Sequence, residues 1–109
     1  MSKFSAPNHI FDPVSGFLNR NDGMDAATHL LAEAKRSKEV LVVLWIDLDR
    51  FRQINDSFGH AGGDRVIKHI AERIRACVRE DCLFLRVGSD EFVVLIPVAE
   101  VLVGEQIAS

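Results

Sequence analysis

Leu83-Phe-Leu-Arg-Val-Gly-Ser-Asp-Glu-Phe-Val-Val-Leu-Ile96 reads as two apolar runs separated by a turn. Both runs are aliphatic or aromatic, and Gly88 and Ser89 are turn formers, so the pattern predicts an antiparallel hairpin. Its tip carries Asp90 and Glu91. A tight loop sets these carboxylates at the edge of a sheet, where they meet solvent or a ligand and are placed to hold a metal. Gly-Ser-Asp is also ordinary turn chemistry, and a glutamate opening a strand is often merely solvated. The hairpin alone does not choose between these readings.

A second acidic pair lies upstream, in Val40-Leu-Val-Val-Leu-Trp-Ile-Asp-Leu-Asp49, where seven apolar residues run into Asp-Leu-Asp. Such a run predicts a strand over about Val40–Leu48, buried on both faces. Side chains alternate along a strand, so Asp47 and Asp49 are expected on one side and Leu48 on the other. Carboxylates from a strand end and a hairpin tip can converge on one hard cation. Mg²⁺ in particular takes a few carboxylates and completes its shell with water and phosphate oxygens. The two pairs together point to a metal site that receives phosphate.

Outward from these segments, residues 1–9 are polar and mixed, and read as a linker or expression remnant. Residues 10–109 are expected to form one domain. Phe11 to Arg20 reads as a structured loop, with turn formers Asp12-Pro13 and Ser15-Gly16 anchored by Phe11, Phe17 and Leu18. Met24, Ala27, Leu30, Leu31 and Ala34 recur at helical spacing, which predicts a helix from about Asp22 to Lys35, capped by Asn21 or Asp22. Phe51, Ile54 and Phe58 predict a short helix ending at Gly59. His60 to Gly63 reads as a loop, with Asp64 capping a longer helix whose apolar stripe is Val66, Ile67, Ile70, Ala71, Ile74 and Cys77. Lys68, Glu72, Arg73 and Arg75 occupy its other face. After Pro97 a helical pattern runs from Val98 to Ile107.

This order predicts an α/β (α+β) sandwich with a central mixed or antiparallel sheet flanked by helices. The net charge of −3, from 13 Lys+Arg against 16 Asp+Glu, comes without a basic stripe, so nucleic acid is not an expected partner. No apolar run is long enough to cross a bilayer, and there is no signal-peptide segment at the N-terminus. A soluble, cytoplasmic chain is expected. Cys77 and Cys82 have no metal-ligand spacing and read as reduced, small core residues.

These residues also carry a family likeness. Asp12-Pro-Val-Ser-Gly-Phe-Leu-Asn-Arg20 resembles D-P-L-T-G-L-x-N-R. Ile46-Asp-Leu-Asp-Arg-Phe-Arg-Gln-Ile-Asn-Asp-Ser-Phe-Gly-His-Ala-Gly-Gly-Asp64 resembles I-D-I-D-x-F-K-x-I-N-D-x-x-G-H-x-x-G-D. Arg86-Val-Gly-Ser-Asp-Glu-Phe92 resembles R-x-G-G-D/E-E-F. In this order and spacing the three motifs are similar to those of the GGDEF domain of diguanylate cyclases. The resemblance implies a nucleotide-cyclase and polymerase-palm type of fold, and the joining of two GTP molecules into cyclic di-GMP in bacterial signalling.

The family's roles, carried onto the matching positions, give Asp47, the Leu48 carbonyl, Asp90 and Glu91 to Mg²⁺ or Mn²⁺, with Asp90 and Glu91 at the reacting centre. Asn55 and Asp64 read guanine, while Arg52, Gly88 and Ser89 lie by the phosphates. The resemblance also implies a homodimer, because each domain presents one GTP to the other. Four features depart from the family pattern. Ser89 replaces the second glycine, and Arg52 replaces a lysine. Cys82 stands where the product-inhibition motif R-x-x-D, beginning here at Arg79, has its carboxylate. No Lys or Arg follows Arg86, so the chain reads as the first part of such a domain, inactive by itself. The alternatives are a degenerate GGDEF domain that binds GTP or cyclic di-GMP as a regulatory or dimerisation module, and a plain α/β interaction domain whose acids are solvated surface.

Overall fold

The computed structural model describes residues 10–99. Helix α1 (Arg20–Arg36) is followed by strand β1 (Glu39–Asp47), helix α2 (Phe51–Cys77) and the hairpin strands β2 (Leu83–Gly88) and β3 (Glu91–Ala99). The sheet has the order β1-β3-β2, so the hairpin reading holds, and among the described strands both pairings are antiparallel. None of the described helices is long and apolar enough to cross a membrane.

Period-two alternation sorts side chains to the two faces. Leu83, Leu85, Val93 and Leu95 turn to one face and pack with Leu18, Ala26 and Leu30. Phe92, with Phe84 and Ile46 beside it, turns to the other and packs with Phe17, Phe51, Ile67 and Ala71. Among the described residues, α1 thus covers one face of the sheet and α2 the other, an α/β/α arrangement. Phe17 and Leu18 are adjacent in sequence yet enter opposite cores, because Leu18 bridges β2: its amide donates to the Phe84 carbonyl at 3.0 Å and its carbonyl accepts from the Arg86 amide at 2.9 Å.

Helix α1 begins at Arg20, two residues before its expected start at Asp22, so neither Asn21 nor Asp22 caps it. The cap is Asn19, whose side chain accepts from the Asp22 amide. Its buried line is Gly23, Ala26, Leu30 and Ala34; Met24 and Leu31 of the expected stripe are exposed. Gly23 shifts the helix face because a Cβ there would lie 2.5 Å from Leu85, so only glycine allows α1 to approach β2 this closely.

Strand β1 corrects a second expectation. It is paired only with β3 among the described residues, and Val43 and Trp45 are exposed, so it is not buried on both faces. The apolar run alone does not reveal whether a strand has one neighbour or two.

Helix α2 corrects a third. Its short first segment ends at Gly59 as expected, but the chain turns there through one residue (φ 72, ψ 175) and helix resumes at once, with no loop over His60–Gly63. Asp64 is therefore inside a helix on its exposed side, not a cap. Phe58 is exposed, and so is Cys77, whereas Cys82 is buried as expected. Arg75 is not simply solvated either: its guanidinium stacks over Phe17 and Phe84 and donates to the Gly16 carbonyl. Burial lowers the pKa of this guanidinium.

Pro97 continues β3 opposite Leu41 and does not end it. Strand β2 stops at Leu83, opposite Leu95, so the proline lies where β3 has a single strand neighbour and its missing N–H costs no ladder bond. Its carbonyl accepts from Arg79 Nη2. Val98 and Ala99 are therefore strand, and the rest of the helix expected to Ile107 lies outside the described residues.

Candidate functional site

Strand β1 ends at Asp47 and β3 begins at Glu91, and the antiparallel register makes these two residues direct partners. One step further, the Leu48 amide donates to the Asp90 carbonyl at 2.9 Å. The strand end and the hairpin tip are thereby fastened side by side, with Asp47, Leu48, Asp90 and Glu91 at one end of the sheet. Asp49 does not join them: it lies in the turn after β1, fully solvated, near Arg50. Arg50 then enters α2 in the left-handed conformation (φ 59), an uncommon backbone state for a residue with a side chain.

Like charges directly opposite on neighbouring strands repel, and among the described residues no Lys or Arg forms an ion pair with Asp47, Asp90 or Glu91. Glu91 is held by a neutral donor instead: Trp45 Nε1 donates to its Oε2 at 3.1 Å. Its other oxygen lies over Gly88, where a Cβ would come within 3.1 Å of it. No three His, Cys, Asp or Glu side chains among the described residues converge tightly enough to hold an ion unaided. The donors are all oxygen, with no thiolate or imidazole among them, which suits a hard divalent cation that takes water and phosphate oxygens for the rest of its shell.

The hairpin turn itself is Ser89-Asp90, with a bulge at Val87. Neither turn residue has positive φ, so the backbone does not require glycine at Ser89, and the serine side chain points to solvent without strain. Arg86 anchors the turn. Its Nη2 donates to the Ser89 carbonyl at 2.6 Å and its Nη1 to Asp12 Oδ2 at 3.0 Å. Asp12 also accepts from the Ser15 amide and hydroxyl. Burial pushes the Asp12 carboxyl up, but the Ser15 hydrogen bonds, the Arg86 hydrogen bond and the Arg86 charge outweigh it, leaving the group below its ordinary value.

Helix α2 starts directly after this acidic end. Arg52 is exposed in its first turn, and half-buried Asn55 follows one turn later. The bend at Gly59 packs the second segment against the first at glycine: a Cβ on Gly63 would fall 1.9 Å from Asn55 Oδ1, and one on Gly62 2.5 Å from Phe58 Cβ. Asn55 thus rests against Gly63, the residue preceding Asp64 in the second segment. The contributions of Trp45, Arg86, Asp12 and Gly63 were not legible in the sequence, apart from the place of three of them within the motifs.

An antiparallel sheet between helices, with carboxylates gathered where its hairpin turns, is an α+β arrangement of the GGDEF type, and the chain belongs to the GGDEF domain family. The family model for "Diguanylate cyclase, GGDEF domain" matches residues 9–108. The chain is 45% identical over 85 residues to the diguanylate cyclase TpbB of Pseudomonas aeruginosa, an alignment spanning 78% of this chain and 20% of that protein. It is 36% identical over 84 residues to the cyclic di-GMP phosphodiesterase PdeR of Escherichia coli, spanning 77% of this chain and 12% of PdeR. The solved GGDEF domain of TpbB matches with a TM-score of 0.76 at 42% identity, covering 91% of this chain and 58% of that one. The GGDEF domain of DgcB from Caulobacter crescentus, solved in complex with c-di-GMP, matches with a TM-score of 0.74 at 28% identity, covering 89% and 57%. The chain therefore spans a fifth or less of the length of these curated relatives.

Proposed function

We propose that this domain, within the protein that carries it, is a diguanylate cyclase that condenses two GTP into cyclic di-GMP in the bacterial cytoplasm. The observation that carries the reading is the juxtaposition of Asp47 with Glu91 and of Leu48 with Asp90 at one end of the sheet, a set of oxygen donors that no Lys or Arg among the described residues pairs with. Asp47, Asp90, Glu91 and the Leu48 carbonyl would hold Mg²⁺ or Mn²⁺. Such an ion neutralises charge on the GTP phosphates and lowers the pKa of an attacking 3′-hydroxyl. Asn55 and Asp64, one on each segment of the bent helix α2, offer an amide and a carboxylate that match the donor and acceptor edge of guanine. Arg52 and the Gly88-Ser89 backbone orient the phosphates. One GTP per domain requires two domains face to face, so the active form is a homodimer.

A second reading follows from Ser89 in the signature turn and from the relatedness to a protein named as a phosphodiesterase: a domain that binds GTP or cyclic di-GMP and regulates a neighbour. Mass spectrometry of the products formed when the whole protein is incubated with GTP and Mg²⁺ or Mn²⁺ separates the two. Cyclic di-GMP supports the cyclase; saturable nucleotide binding without product supports the regulatory module. A protein that neither binds GTP in a metal-dependent way nor turns it over is an interaction domain.

A further inference from the structure

We infer that Trp45 is a positioning residue for Glu91, fixing which carboxylate oxygen that residue offers to the cation; this rests on the metal-site reading above. The register sets Glu91 directly opposite Asp47, and Trp45, two residues before Asp47, lies on the same face of the sheet and diagonal to Glu91. Both side chains line the cleft between α1 and the sheet. Glu91 has a like charge opposite it and no cationic partner among the described residues, and the only side-chain hydrogen bond it receives there is from the Trp45 indole, 3.1 Å from Oε2. A carboxylate with one oxygen held in this way presents the other, and here that oxygen lies over Gly88, where the absence of a Cβ leaves room for it.

Packing does not explain the tryptophan. Trp45 is 62% exposed, so the ring is not a core anchor, and its indole N–H is turned to Glu91. Outer-shell hydrogen bonds to ligating groups orient them, and their loss commonly costs about 10- to 100-fold in metal affinity. Nothing in the apolar run Val40–Ile46 singles Trp45 out, because the role comes from the register with β3.

The test is titration of Mn²⁺, in the presence of a non-hydrolysable GTP analogue, into the full chain and its variants, followed by calorimetry, with a urea unfolding curve for each protein. Trp45→Phe keeps the ring and removes the donor: it should weaken Mn²⁺ by about 10-fold with the unfolding midpoint unchanged. Trp45→Gln carries an N–H donor at the same bond separation from Cβ and should recover most of that loss. In a Glu91→Gln background the Trp45→Phe change should have no further effect. Equal affinity in Trp45→Phe, or tighter binding because the indole competes with the cation, overturns the inference and leaves the metal site standing. No Mn²⁺ binding by the unmodified chain overturns both.

Discussion

Arg86 and Asp12 are 74 positions apart in sequence and form an ion pair of 3.0 Å in which each side chain is more than four-fifths buried. Through its second terminal nitrogen the same guanidinium holds the Ser89 carbonyl. The loop before α1 and the signature turn are thus parts of one polar network. Arg86→Lys keeps the charge but cannot span both acceptors with one ammonium. A charge-assisted hydrogen bond of this kind contributes about 1.5–3 kcal/mol, so the urea midpoint should fall accordingly. A midpoint within error of the unmodified protein would reject the network as a stabilising element.

The same pair predicts an acid dependence. The folded pKa of Asp12 lies below its ordinary value of 3.8. For a depressed carboxylate the stabilisation is fully present above the unfolded value and is lost as pH falls through the folded one. Stability should therefore drop on acidification below about pH 4, and Asp12→Asn should make that limb shallower while lowering stability at neutral pH. Denaturation curves at stepped pH values between 2 and 6 measure both effects. Parallel acid limbs in the two proteins would assign the transition to other carboxylates.

The period-two pattern made the hairpin and its acids legible, and the apolar run located β1, because strand existence depends on local sequence. The sequence did not reveal that Val43 and Trp45 face solvent, since one neighbour or two on β1 is a property of the whole sheet. Gly59 was readable as a stop. That the chain resumes helix at once depends on Gly62 and Gly63 permitting the two segments to touch, and no local propensity records such a long-range fit. Within the candidate site, Asp47, Asp90 and Glu91 were readable as acids at element ends. Trp45 was not, because its partner is 46 residues away.

Asp47→Asn should abolish metal-dependent GTP binding or turnover and leave the fold intact. Asp47 is exposed at the last position of β1, so the nearly isosteric change disturbs no packing, and it relieves the repulsion with Glu91 opposite. The unfolding midpoint should hold or rise slightly. Unchanged Mg²⁺-dependent binding of GTP would remove Asp47 from the metal site.

Product should not bind tightly at Arg79. Its guanidinium is already engaged, by Asp81 at 3.2 Å and by the Pro97 carbonyl, and Cys82 supplies no carboxylate. Burial, with the Asp81 charge, raises the Cys82 thiol pKa, so this residue stays neutral, and a carboxylate there would be costly. Cys82→Asp should lower stability even if it strengthens cyclic di-GMP binding. Calorimetric titration of cyclic di-GMP into the unmodified protein and into Arg79→Ala decides this: tight binding that Arg79→Ala removes contradicts the prediction.

Asp64 and Gly63 separate base recognition from helix stability. Asp64 is exposed inside α2 and caps nothing, so Asp64→Ala should leave stability within about 0.5 kcal/mol, alanine being the better helix former. If Asp64 reads guanine, that variant nonetheless loses its preference for GTP over ATP. Gly63→Ala acts on the same preference from inside the bend: its new Cβ would fall 1.9 Å from Asn55 Oδ1, so Asn55 must leave its position while Asp64 remains chemically intact. Competition binding of GTP and ATP to both variants, beside their unfolding curves, is the measurement. Loss of preference in both, with stability retained in Asp64→Ala, supports α2 as the guanine reader. Retained preference in both would mean that the base is recognised elsewhere and that the bend at Gly59 serves packing alone.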